Sequence, residues 1–212
     1  MPPIRRVRQH VNPLSSKYAN PAIAPNWSEA FLNPQLPLHL DIGCGKGDFV
    51  REMAVRVPEW NFLGLEIREP LVERALIRRD QSAQSNLHFV FCNANNSLLP
   101  LLASWPGGCP LQLVSIQFPD PWFKKRHQKR RVVQPELVAA LVELMPVGAM
   151  VWLQSDIEEV CEEMCDRFTE NPAFVRAGTD WLSESPFPAQ SDRERVTLGK
   201  GLPVYRAKYF RQ

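Results

Sequence analysis

The chain has 212 residues, 44% of them hydrophobic and 23% charged, with a formal net charge of +2. That length fits one domain of about 100–200 residues with short extensions, and the composition excludes a collagen, a coiled coil and a wholly disordered chain. No apolar run approaches the roughly 20 residues of a membrane span. The opening stretch, MPPIRRVRQHVNPLSS, lacks the apolar core of a secretory signal, so the expected compartment is the cytoplasm.

Residues 1–37 hold seven prolines and read as a basic arm over the surface of a single domain that spans 38–212. The apolar run 38–42 predicts a strand that ends in a glycine-rich turn. Residues 48–57 have helical spacing and stop at Pro58. NFLGLEI, 61–67, predicts a strand, and 69–81 a charged amphipathic helix with Pro70 in its first turn. Strands follow at 87–92, 111–118, 149–154 and 204–210, with helices at 95–103, 134–145 and 157–169. Strands alternating with helices of 10–13 residues predict βαβ units and a mostly parallel sheet. The near-continuous apolar character of the strands fits burial on both faces.

Five cysteines stand at 44, 92, 109, 161 and 165. The odd count and the lack of C-x-x-C fit neither a disulfide framework nor a zinc ribbon. Cys161 and Cys165, one helical turn apart, read as packing residues, and no metal site is expected. Charge is unevenly spread. KKRHQKRR, residues 124–131, holds six Lys/Arg, and the remaining 19 basic residues face 23 acidic ones, a balance of −4. One compact cationic run on a mildly acidic body points to a polyanionic partner.

The turn LDIGCGKGDF places Gly43, Gly45 and Gly47 between a strand and a helix, where the backbone turns tightly and approaches a ligand. The next strand ends in Glu66, an acid placed to hold a ribose diol. Asp48 stands where the dinucleotide fingerprint has its third glycine, and Asp41 precedes the loop. Pyrophosphate disfavours such neighbours. S-adenosylmethionine, with a sulfonium and an ammonium, suits them better than NAD(P). Asn93 and Asn95 after the third strand have two readings, as adenine contacts through their amides or as turn and helix N-cap residues.

After the fourth strand comes FPDPWFKKRHQKRR, 118–131. Asp120 sits between two prolines that stiffen the loop, with Trp122 and the cationic run beside it. A rigid carboxylate, an aromatic surface and a basic cluster together suit a nucleobase delivered by its phosphate backbone.

From about residue 38 onward the sequence resembles the bacterial tRNA (guanine-N7)-methyltransferases. FPDPWFKKRHQKRR resembles that family's signature, with Phe123 where Pro or His is usual, and LDIGCGKGDF and GLEI resemble its cofactor motifs. SDIEEV resembles its T-D segment, with Ser155 for Thr. SDRERVTLGKGLPVYRAKY resembles its T-x-F/Y-E stretch and following strand, with Ser191 for Thr, Arg193 for the aromatic and Glu194 retained. The resemblance implies a doubly wound, mostly parallel seven-stranded sheet with helices on both faces and an antiparallel C-terminal strand. It implies that Asp41, Gly43, Glu66, Asn93 and Asp120 bind S-adenosylmethionine, although Asn93 is commonly Asp in relatives. Asp120 matches the residue named as catalytic. Lys124, Asp156, Ser191 and Glu194 match substrate-contacting positions. The implied partner is tRNA, methylated at a variable-loop guanine, by a monomer or a homodimer.

Guanine N7 carries a lone pair and no proton, so its methylation needs no general base, and positioning and electrostatics carry the rate. Asp120 then either stabilises the positive charge gained by the base or accepts from guanine's N1–H and N2 edge. The basic run supplies affinity rather than base choice, with about five phosphates neutralised. Arg5, Arg6 and Arg8 on the arm either clamp tRNA or lie free. Two other functions compete: a methyltransferase of this fold with a non-tRNA acceptor, which leaves the basic run unexplained, and a non-catalytic RNA-binding subunit, which leaves the cofactor motifs without a purpose.

Overall fold

Five apolar segments alternate with helices and pair as parallel strands in a computed structural model that describes residues 10–212. They are β1 (Leu38–Ile42), β2 (Asn61–Glu66), β3 (Leu87–Phe91), β4 (Leu111–Gln117) and β5 (Met150–Ser155). Two more strands, β6 (Phe174–Arg176) and β7 (Tyr205–Arg211), complete the sheet in the order β3-β2-β1-β4-β5-β7-β6. β7 lies antiparallel to both β5 and β6. Every residue of β1 and β2 is buried, as expected for central strands covered on both faces.

The helices are α1 (Trp27–Ala30), α2 (Asp48–Arg56), α3 (Glu69–Gln81), α4 (Ala94–Ala103), α5 (Pro135–Leu144), α6 (Glu158–Thr169) and α7 (Asp192–Gly199). α4, α5 and α6 bury Leu98, Leu137, Leu141 and Phe168 on one side of the sheet, in a cluster with Leu40 and Leu63. α2 and α3 bury Phe49, Val50 and Val72 on the other, against Phe62 and Phe89. The sheet is thus doubly wound. All eleven elements expected from residue 38 onward form, with ends within two residues of the sequence reading. β6 and α7 are additional. β6 is three residues long, too short for a periodicity, and α7 is charged on most of its surface.

The segment read as a surface arm does more than cover the surface. Trp27 and Phe31, one helical turn apart, are buried in the main core beside Trp105, with the Trp27 and Trp105 rings 4.4 Å apart. Trp27 Nε1 donates to Ser104 Oγ at 3.0 Å and Trp105 Nε1 donates to the Pro34 carbonyl at 2.7 Å. Two buried indoles with satisfied N–H groups outweigh the seven prolines that suggested a loose arm. Arg5, Arg6 and Arg8 lie outside the described residues.

Candidate active site

Strand order reverses between β1 and β4, and a cleft opens beyond the carboxyl ends of β1–β4 at that point, where doubly wound sheets bind ligands. The glycine turn forms its floor. Gly43 has φ +83°, and a Cβ there would project into open space. Gly47, at φ +74°, N-caps α2, and a Cβ there would collide with the Phe89 ring. Left-handed φ at both positions is what glycine alone adopts without strain.

Asp41 is 3% exposed. Ser115 Oγ donates to its Oδ1 at 2.6 Å and Gln117 Nε2 donates to the same oxygen at 3.2 Å. Burial pushes the Asp41 carboxyl up to about 6, against the pull of these two hydrogen bonds and with a further push from Glu66. Glu66 is equally buried. Its oxygens accept from Gly45 N–H (2.9 Å), from Arg68 N–H (2.9 Å) and from Arg68 Nε and Nη2 (2.9 and 2.8 Å). It therefore braces the glycine turn and holds the Arg68 guanidinium at the cleft.

Asn93 N-caps α4, accepting from Asn95 N–H at 3.2 Å, and donates to the Pro13 carbonyl at 3.3 Å. Asn95 Nδ2 donates to the Val132 carbonyl at 3.0 Å. Its Oδ1 is buried and takes no hydrogen bond, an acceptor left for a donor such as an adenine amine. Asn93, Asn95, Gly43, Glu66 and Asp120 border one cleft. Two acids, an open glycine and an unpaired amide oxygen fit a nucleoside cofactor with a cationic tail.

The loop carrying Asp120 is bracketed by two strained residues, Phe118 at φ +48° and Trp122 at φ +40°. Left-handed φ at two bulky aromatics costs on the order of 1–3 kcal/mol each and marks a loop held by its surroundings. Phe118 N–H donates to the Gln154 carbonyl at 2.8 Å. Arg131 Nε donates to the Pro121 carbonyl at 2.8 Å, while its other nitrogens pair with Glu159 (3.3 Å) and Glu163 on α6. Asp120 itself meets His10 Nδ1 at 2.9 Å. The Arg130 guanidinium lies 4.9 Å from the Trp122 ring.

The basic run forms a 3-10 turn, Lys125–Arg130, N-capped by Lys124. Lys124, Lys125, Arg126 and Lys129 are exposed, whereas Arg131 is 5% exposed and turned inward. Four Lys/Arg side chains of the run are therefore exposed. Sequence reasoning missed the role of Arg131, although Glu159 and Glu163, one turn apart on a helix, were a legible signal for an inward cation. It also missed His10.

A second cleft adjoins the first through Gly43, Arg68 and Phe118 and is bordered by Asp41, Ser191 and Arg193. Ser191 Oγ N-caps α7, accepting from Glu194 N–H at 3.3 Å. Asp156 accepts from Arg193 Nε and Nη2 at 2.9 and 2.5 Å. Glu194 points inward at 1% exposure, paired with Arg206 at 2.9 Å. Lys124 does not border either cleft. No group of His, Cys, Asp and Glu among the described residues is arranged to hold a metal.

Residues 35–207 match a family described as a putative methyltransferase. The tRNA (guanine-N(7)-)-methyltransferase of Trichormus variabilis is 59% identical over 99% of this chain and 97% of its own length. That of a Nostoc species is 58% identical over 99% of this chain and 95% of its own. The chain belongs to the tRNA (guanine-N(7)-)-methyltransferase family. The sheet also resembles that of the N-methyltransferase NodS of Bradyrhizobium japonicum, solved in complex with S-adenosylhomocysteine (TM-score 0.53, 13% identity, 83% of this chain and 78% of that one). At that identity the likeness is one of fold.

Proposed function

We propose that this enzyme transfers a methyl group from S-adenosylmethionine to N7 of a guanine in the variable loop of tRNA. The observation that carries it is the juxtaposition at one sheet edge: a cleft walled by Gly43, Glu66 and Asn93, with Asp120 on its border, Asp41 in the cleft that adjoins it through Gly43, and four exposed cations beside them. Glu66 suits the ribose hydroxyls in exchange for the Arg68 guanidinium that now fills its acceptor sites, while Asn95 Oδ1 suits the adenine amine and Asp41 the cationic tail. When bound, the cofactor would supply a sulfonium methyl: the N7 lone pair would form the new N–C bond as the C–S bond breaks, with a neutral thioether leaving and the base becoming cationic.

The protein's part is placement and charge. N7 has no proton to lose, so Asp120 is not required as a base. It supplies a fixed negative charge beside a base that becomes positive. Lys124 and its exposed neighbours hold phosphates and set orientation. Arg193, lying against Asp156 at the second cleft, sits on the acceptor side; Ser191 fixes the start of α7 there, and Glu194 anchors that helix from within. We place this work in the cytoplasm, in keeping with five free cysteines; no helix of the described residues is long and apolar enough to cross a membrane. The test is incubation with tritiated S-adenosylmethionine and unmodified tRNA, followed by nucleoside analysis. Labelled 7-methylguanosine is expected. Cofactor binding without label in tRNA would move the enzyme to another acceptor.

A further inference from the structure

Beneath the two clefts runs a line of polar side chains that the reaction does not touch. Trp152 Nε1 donates to Gln154 Oε1 at 3.2 Å. Gln154 Nε2 donates to Gln117 Oε1 at 2.7 Å and, more weakly, to Glu194 Oε2 at 3.4 Å. Gln117 Nε2 donates to Asp41 Oδ1. Trp152, Gln154 and Glu194 are at most 1% exposed. The line crosses β5, β4 and β1 and reaches α7 and β7, where Arg206 holds the other oxygen of Glu194 and donates to the Ser183 carbonyl at 2.9 Å.

The direction of every bond is forced. An indole only donates and a carboxylate only accepts. With Trp152 at one end and Asp41 at the other, neither glutamine amide has a second orientation that keeps its bonds. A parallel branch ends on the same oxygen: Ser115 gives its one proton to Asp41, so His39 Nε2 must donate to Ser115, at 2.8 Å. In a buried site such chains polarise along their length.

We propose that Gln117, Gln154 and Trp152 are positioning residues for cofactor binding, a one-way donor chain that keeps Asp41 ionised and its carboxylate fixed at the cleft. This rests on the reading that Asp41 meets the cofactor's cationic tail. Burial and Glu66 oppose ionisation of Asp41, and the Gln117 and Ser115 bonds favour it. The other charged and titratable groups around it are already committed. His39 is pushed down to about 3 by burial and stays neutral, burial keeps Cys44 a thiol, and Arg68 is held by Glu66. Around the second cleft, Lys46 pairs with Asp192, Arg78 with Asp48, and Arg193 with Asp156. That leaves Ser115 and Gln117 as the donors whose loss Asp41 feels, and Gln117 is the one that continues the line to Gln154 and Trp152.

The test is calorimetric binding of S-adenosylmethionine to the intact chain from acid to alkaline pH, for wild type, Gln117→Leu and Gln154→Met. Removing a donor to a buried carboxylate should raise the acid midpoint of binding. Affinity should fall about fivefold or more near pH 5.5 and stay within about twofold near pH 8.5. Gln154→Met should shift the midpoint in the same direction, although Gln154 touches no ligand. Trp152→Phe, which deletes only the directing N–H and trims the ring, should shift it less. Equal weakening at all pH values would make the chain merely structural and overturn the proposal, as would an unmoved midpoint in a variant whose thermal melt is cooperative. Failure of wild type to bind the cofactor at any pH would instead overturn the reading of the cleft.

Discussion

At the scale of single residues, the buried acid and the loop acid separate cleanly by experiment. Asp120→Ala should lower kcat by about 10²–10³-fold while tRNA affinity, measured by filter binding, changes little; equal losses would make Asp120 a binding residue. Asp41 carries a stability cost for its role. Its carboxyl is raised from 3.8 to about 6 in the folded chain. Its contribution is therefore fully present below about pH 4 and lost as pH rises through 6. Asp41→Asn should thus be more stable than wild type at neutral pH, by up to roughly 2 kcal/mol, with the gap closing towards pH 4; urea midpoints across pH read this directly. Asp41, Glu66 and Asp120 were legible because strand-end acids beside glycines and prolines form a pattern within a dozen residues. The partners of those acids were not. His10 meets Asp120 across 110 positions of chain, and Gln117 acquires meaning only when β1 and β4 are paired.

Among elements, the basic run shows how one composition divides into two jobs. Its first cations face solvent, and its last, Arg131, clamps the Asp120 loop to α6. Lys124→Ala should weaken tRNA binding and reduce its salt slope by about one unit. Arg131→Ala should leave the slope unchanged and cost about 1–3 kcal/mol of stability, because it frees the Pro121 carbonyl and the partly exposed Glu163; denaturant melts and salt titrations distinguish the two. The run's charge was visible in the sequence, but the direction in which each cation points was not, since a 3-10 turn places successive side chains about a third of a turn apart. α7 was hidden for a related reason. Its buried face holds Glu194 and Thr197, so the apolar period that announces a helix is missing.

For the whole molecule, the four exposed cations of the 3-10 turn should give tRNA binding a log–log salt slope of roughly 3, and a nearly flat dependence would remove the phosphate contacts from the picture. The aromatic anchor at Trp27 is equally testable: Trp27→Ala should cost about 3–5 kcal/mol in denaturant melts, whereas a dispensable arm would cost almost nothing. The alternation of strands and helices was readable because each central strand is a continuous apolar run. The docking of Trp27 and Pro34 was not, because their partners Ser104 and Trp105 lie just after α4, more than 70 residues away. Strand order carries one further consequence. β7 follows both β5 and β6 in the chain, yet it sits between them in the sheet. As the chain emerges from the ribosome, β6 has no neighbour to pair with, and the edge of β5 stays open until β7 arrives and slots between them. Unpaired edges of this kind invite association with other chains. The growing polypeptide thus carries two open strand edges until β7 is made, and Arg206, carried on β7, reaches Glu194 only at that closing step.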